Sequence, residues 1–357
     1  MEGIQMLKPL KIGNLEAKLP IVQGGMGVGV SRSSLAGAVA KEGGIGVISA
    51  AQIGYDEPDW NTNKIDPHMR ALDKHIKRAK EISNGGIIGV NIMAVTNHYE
   101  DYVKQCIESG ADMIITGAGL PMELPAAAAG SDIKLVPIVS SKKAANIILK
   151  RWDKKHQITP DAIVIEGPLA GGHLGFKPKE LVDIDIQAYD DEILKIMEVV
   201  KPFEEKYGKQ IPIIVGGGVS DREKMMHYLE LGADAVQIAT AFVPTEECDA
   251  DIRYKESYIN AKEEDIIIVQ SPVGLPGRAI NNAFMKKVKS EGRVAPKHCH
   301  RCMEACNPAE TLYCITEGLV NAVTGNVDEA LLFCGADAWK ADRIKTVKEV
   351  IDEFIAE

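Results

Sequence analysis

The chain has 357 residues, of which 45% are hydrophobic, 26% charged and only 5% aromatic. This composition excludes a disordered or fibrous protein, and the length accommodates one large α/β barrel or two ordinary domains with no need of disulfide staples. The net charge of −10 leaves no general electrostatic footprint for nucleic acid or an anionic membrane, so the expected partner is a small molecule.

Residues 1–10 lack the basic segment, apolar core and small-residue cleavage site of an export signal, and no stretch approaches the roughly 18 apolar residues of a membrane span. A cytoplasmic protein is expected. Residues 19–23 read as a short strand opened by Pro20, followed by a glycine turn from Gly24 to Gly29 and a helix over 33–42 with Ser31 as its N-cap. The helix stops at Gly43-Gly44, and a strand over 45–48 completes one β-α-β unit. The alternation continues with strands over 87–91, 113–116, 134–139, 162–165, 211–215 and 235–238. Amphipathic helices are expected over 68–82, 99–109, 142–152, 190–207 and 221–231. Evenly spaced apolar strands, with glycine turns after several of them, favour a closed (β/α)8 barrel over an open sheet with a single Gly-x-Gly-x-x-Gly turn.

Two connections are long, over 50–67 and 167–188, and candidates for substrate walls. Beyond residue 245 the alternation gives way to helices expected over 251–262, 278–289 and 339–356. The chain therefore divides into a barrel over 1–245 and an accessory, Cys-containing helical region over 246–357 that packs on it. The segment 271–278 is a candidate to fold back over the active-site mouth.

Chemistry concentrates after the sixth strand. A β-branched run over 163–165 discharges into Glu166-Gly167-Pro168-Leu169-Ala170-Gly171-Gly172-His173, a loop whose glycines let backbone and imidazole approach a planar ligand. A histidine exchanges protons near neutrality, which makes His173 the candidate catalytic residue. Gly216-Gly217-Gly218 after the seventh strand and Ala239-Thr240 after the eighth expose backbone N–H groups, with Ser220 or Thr240 to cap the next helices. Such a pair of turns makes a phosphate cradle, and a phosphate-bearing cofactor follows. His68, His75, His98, His156 and His227 fall in helices or at helix ends without a second ligand at useful spacing, and are read as structural.

Seven cysteines is an odd number, and four of them, Cys299, Cys302, Cys306 and Cys314, stand close together beside His298 and His300. Their spacing is compatible with an iron–sulfur or zinc site, and equally with free thiols in a reducing compartment. Both accounts stand open, and no metal ligand is assigned.

Taken in order, the runs 20–27, 89–93, 116–119 and 166–175, with Gly216 to Gly218 and Gln237 to Thr240, resemble the nitronate monooxygenase family and its sister group, the FMN-dependent enoyl-acyl-carrier-protein reductases. The resemblance spans about residues 15–290. It implies a (β/α)8 barrel binding FMN at the carboxyl ends of its strands. Gly24, Gly25 and Met26 would border the flavin ring, with Asn91 near its polar edge. Glu166, Gly171 and Gly172 would line the cofactor, and Gly217, Gly218, Gln237, Ala239 and Thr240 would enclose its phosphate end. The family more often has Gly-Thr where this chain has Ala239-Thr240. His173 matches the family's catalytic histidine. The 26–31 segment resembles the nitronate branch more closely, which implies oxidation of an alkyl nitronate with O2 to a carbonyl compound and nitrite. The alternatives are NAD(P)H-dependent reduction of an enoyl thioester or quinone, and a non-catalytic flavin-binding protein. A homodimer is compatible with each.

Overall fold

The computed structural model describes residues 7–62, 64–303 and 306–356. Part of the stretch read for an export signal, residues 1–6, lies outside them.

The chain enters through a hairpin of β1 (Leu10–Ile12) and β2 (Leu15–Ala17), absent from the sequence-based expectation, with Gly13 at φ +59° in its turn. The barrel follows. Its strands are β3 (Ile21–Gln23), β4 (Ile45–Ser49), β5 (Ile87–Met93), β6 (Met113–Gly117), β7 (Lys134–Val139) and β8 (Ile163–Glu166). After the short strand β9 (Gly172–His173) come β10 (Ile213–Gly216) and β11 (Ala235–Ile238), which pairs with β3 and closes the ring. All eight barrel strands run parallel, so the expected (β/α)8 architecture is what forms.

Strands buried on both faces need apolar residues throughout, which is why β4 reads Ile-Gly-Val-Ile-Ser without alternation. Inside the barrel Val22, Val47, Ile115, Val164 and Ile214 form one cluster with Leu10, Ile12 and Ala17 of the hairpin, which stoppers the amino-terminal end. Each fully buried aliphatic side chain there contributes on the order of 2 kcal/mol. Ligands are thereby left only the carboxyl end. A second cluster lies between the strands and the helices α1 (Ser33–Lys41), α2 (Asp66–Ser83), α3 (Tyr99–Glu108), α4 (Leu124–Ala127), α5 (Lys142–His156), α6 (Ile186–Tyr207) and α7 (Arg222–Leu231).

Three capping expectations are corrected. The N-terminus of α1 is capped not by Ser31 but by Asp249, whose carboxylate accepts from the amides of Arg32, Ser34 and Leu35 at 2.9 to 3.2 Å. Ser31 instead accepts from the Met26 amide at 2.8 Å and braces the glycine turn. Asp221, rather than Ser220, caps α7, and Thr240 opens a 3-10 turn, Thr240–Phe242.

After residue 245 the chain forms α8 (Ile252–Ile259), β12 (Ile266–Gln270), β13 (Pro276–Ile280), α9 (Ala283–Glu291), α10 (Ile315–Val323) and α11 (Val347–Ile355). The helix expected over 278–289 begins only at Ala283, capped by Asn282. The residues before it pair with the β-branched run of β12, and that ladder overrides local helical preference. The helix expected from Trp339 likewise begins at Val347, behind a Thr346/Glu349 capping box, after a 3-10 turn over Ala338–Lys340. β12, β13 and β9 form a three-stranded antiparallel sheet, so the late region is stitched directly to the loop that carries His173.

Candidate active site

The loop after β8 is shaped by what crosses it. β13 lays Gly277 opposite His173 and Arg278 opposite Gly172, and the Leu174 amide donates to the Pro276 carbonyl at 2.9 Å. On the other side the Cys334 amide donates to the Arg278 carbonyl at 3.1 Å. The backbone of Cys334 and Gly335 then passes so close to Gly171 that a Cβ there would lie 2.6 to 2.7 Å from it, which only glycine permits. Arg278 is buried, and its guanidinium donates to the carbonyl of Ala170. Three chain segments thus converge to hold one imidazole.

His173 Nε2 lies 2.7 Å from the hydroxyl of Ser271, itself buried, and the Phe333 ring meets the imidazole edge-on at 5.0 Å. Burial lowers the His173 pKa to about 4, so the ring is neutral at physiological pH: one nitrogen donates and the other accepts. Glu166, at the end of β8, is moved the opposite way for the same reason. Burial raises its carboxyl to about 7, so the protonated form persists near neutrality.

Both residues line a cavity of about 260 Å³ over the carboxyl ends of the strands. Gly24, Gly25, Met26, Asn91, Gly171, Gly172, Gly217, Gly218, Gln237, Ala239 and Thr240 line it too, so the structure brings the candidate catalytic and cofactor-binding residues into one cavity. The Gly24 amide donates to the Ile238 carbonyl at 2.8 Å, and Asn91 Nδ2 donates to the Ile115 carbonyl at 3.3 Å. The wall across β3 and β5 is thereby fixed. At the opposite end Gly217 and Gly218 adopt φ +93° and +95°. That left-handed backbone packs Gly217 against Gly167, and both glycines line the cavity.

Among the lining residues not named individually from the sequence, several come from the late region. The Gly335 amide donates to Thr240 Oγ1 at 3.1 Å, which leaves the Thr240 hydroxyl hydrogen free for a ligand. Asp337 lies beside the same end. Although burial opposes it, the Lys224 ammonium, 2.5 Å away, and the Ser220 hydroxyl hold its carboxyl below the usual range. Its charge is therefore neutralised within the protein. Val273, Met303, Ile315, Leu319 and Phe333 add an apolar outer wall. Ser271 and Val273 belong to the segment 271–278, the candidate to fold over the mouth, and they do meet the site there; no local pattern marks the other positions.

The loop after β4 forms a further wall, as its length suggested. Arg32 anchors it with two 2.8 Å bonds to Asp56 and stacks on Tyr55 at 4.2 Å, and Trp60 stacks on His300. Two histidines of α2 take structural places: His68 Nδ1 accepts from the Gly54 amide at 3.1 Å, and His75 Nδ1 meets Ser33 Oγ at 3.0 Å. Among the described residues no helix is long and apolar enough to cross a membrane.

A probable nitronate monooxygenase of Staphylococcus aureus is 26% identical over 291 residues, covering 77% of this chain and 78% of the relative. The structure of FabK from Thermotoga maritima superposes with a TM-score of 0.72 at 27% identity, covering 95% of this chain and 92% of that one. A nitroalkane oxidase from Streptomyces ansochromogenes shares the fold, with a TM-score of 0.70 at 20% identity and 96% coverage of both chains. The nitronate monooxygenase family matches from residue 8 to residue 357, nearly the whole chain, and this protein belongs to that family of flavin-dependent oxidoreductases.

Proposed function

We propose that the protein is an FMN-dependent nitronate monooxygenase, oxidising small alkyl nitronates with O2 to a carbonyl compound and nitrite. The observation that carries this reading is His173: a neutral imidazole, held on Ser271 and lining the same cavity as the glycine turns.

The residues fit the cofactor. The turn amides at Gly217 and Gly218, with the Thr240 hydroxyl, suit a phosphate, since the one carboxylate beside them is already neutralised by Lys224. Gly24 to Met26 and Asn91 form the wall for the flavin ring, and Glu166, protonated up to about pH 7, offers a hydrogen bond to its polar edge. Bound FMN supplies the electron transfer that neither a histidine nor a glycine loop performs.

The chain's own residues do the rest. The neutral His173 accepts the α-proton of a nitroalkane or donates a hydrogen bond to the oxygens of a nitronate, and Ser271 fixes which nitrogen faces the substrate. Phe333 and the outer wall exclude water, so the anion is held by directed hydrogen bonds in a low dielectric.

A second reading, reduction of an enoyl thioester by NAD(P)H, is favoured by the apolar outer wall of Val273, Met303, Ile315 and Leu319, which suits an acyl chain. FabK, an enoyl-acyl-carrier-protein reductase, superposes over nearly the whole chain. Oxygen uptake and nitrite release with ethylnitronate or propionate 3-nitronate test the first reading. Stoichiometric nitrite supports it, and no turnover with either removes it.

A further inference from the structure

Between α9, which ends at Glu291, and α10, which begins at Ile315, the described residues form neither helix nor strand. An irregular connection of this length inside a compact domain needs something to hold it. Four of the seven cysteines lie in it, and Cys299, Cys302, Cys306 and Cys314 all line one cavity of about 400 Å³ together with His298 and His300. None is in a disulfide.

Two features of this cavity point to a ligand. The Nδ1 of His300 is buried without a hydrogen-bond partner, although the ring is held firmly, stacked on Trp60 at 4.3 Å with an interplanar angle of 7°. A buried, unpartnered ring nitrogen is unfavourable unless something in the cavity meets it. Cys314 occupies the N-cap of α10, where its sulfur accepts from the Glu317 amide at 3.5 Å. N–H···S contacts at a helix N-terminus stabilise thiolates and tune metal-bound sulfur.

The spacing selects among metals. Four thiolates on one zinc ion, each at about 2.3 Å, lie about 3.8 Å from one another. Among the described residues no group of three or more histidine, cysteine or acidic side chains is gathered to hold a single metal ion. A polynuclear cluster gives each thiolate its own iron and accepts a wider ring around a larger cavity. We infer that Cys299, Cys302, Cys306 and Cys314 hold an iron–sulfur cluster of the four-iron type, with His300 Nδ1 hydrogen-bonding to its sulfur. The cluster pins this segment over the flavin cavity. Asn97 Nδ2 donates to the Arg301 carbonyl at 2.6 Å, Thr96 bridges to Met303, and Cys302, Met303 and Ile315 line both cavities. The inference does not depend on which substrate the flavin serves.

The test uses the full chain, expressed with added iron and a sulfur source and purified anaerobically. Iron, acid-labile sulfide and zinc are quantified, and the dithionite-reduced protein is examined by electron paramagnetic resonance. About four irons and four sulfides per chain are expected, with a cluster signal distinct from flavin. Cys299→Ser and Cys306→Ser, which line only the second cavity, should lower iron at least tenfold with flavin retained, whereas Cys248→Ala, buried elsewhere, should keep it. Trace iron in wild-type protein that carries flavin, one zinc per chain in its place, or unchanged iron in both serine variants overturns the assignment. If the variants do not accumulate, the wild-type analysis decides alone.

Discussion

His173 Nε2 and Ser271 Oγ lie 2.7 Å apart although 98 residues separate them in sequence, and the register of β13 against β9 makes the meeting possible. Ser271→Ala should therefore keep bound flavin but lower kcat/KM roughly tenfold, about 1.4 kcal/mol of transition-state stabilisation. Steady-state kinetics check this. Unchanged kcat/KM would mean that packing against Phe333 alone orients the ring.

His173→Ala removes the group itself. Turnover should fall by about 10² to 10⁴, the usual contribution of a positioned acid or base, while flavin absorbance per chain stays near wild type. Joint loss of flavin and turnover would make the residue structural.

At Gly217 the expected change is in cofactor affinity. Its φ of +93° disfavours any side chain, and a Cβ would lie 2.7 to 2.9 Å from the backbone of Gly167. Gly217→Ala should cost on the order of 1 to 3 kcal/mol and weaken flavin retention at least tenfold, followed by flavin fluorescence on dilution. Retention equal to wild type would place the phosphate elsewhere.

Stability should depend on pH through buried histidines. Burial holds His68 and His75 at about 4, against 6.5 when unfolded, with Arg32 adding to the effect at His75. Above pH 6.5 both states carry the neutral ring and stability is full. As pH falls toward 4 only the unfolded chain takes up the protons, so stability drops by up to roughly 3 kcal/mol for each residue. Urea unfolding at pH 7, 5.5 and 4.5 should show the midpoint falling through this window. A flat profile would contradict the burial.

The barrel was legible because its strands are doubly buried and must be apolar throughout, and because Gly24, Gly217 and Gly218 mark backbone turns that few other residues make. His173 was legible as the imidazole in a glycine-framed loop. What holds it was not: Ser271, Phe333 and Gly335 reach the cavity through pairings between β9, β13 and residue 333, and such distant registers leave no local period. The same cause hid the cap of α1, since Asp249 stands more than 200 residues beyond the helix it serves. The late helices were placed early in the chain for a related reason: Arg278 to Ile280 have a ladder partner in β12 that outweighs their local preference.

The most direct test is anaerobic mixing of the flavin-loaded protein with ethylnitronate in one syringe and NADH or NADPH in another, following flavin absorbance. Rapid flavin reduction by the nitronate is expected, slowed at least a hundredfold in His173→Ala, with slow reduction by either pyridine nucleotide. Rapid reduction by NADH or NADPH with no response to the nitronate would contradict this expectation and assign the site to a reductase.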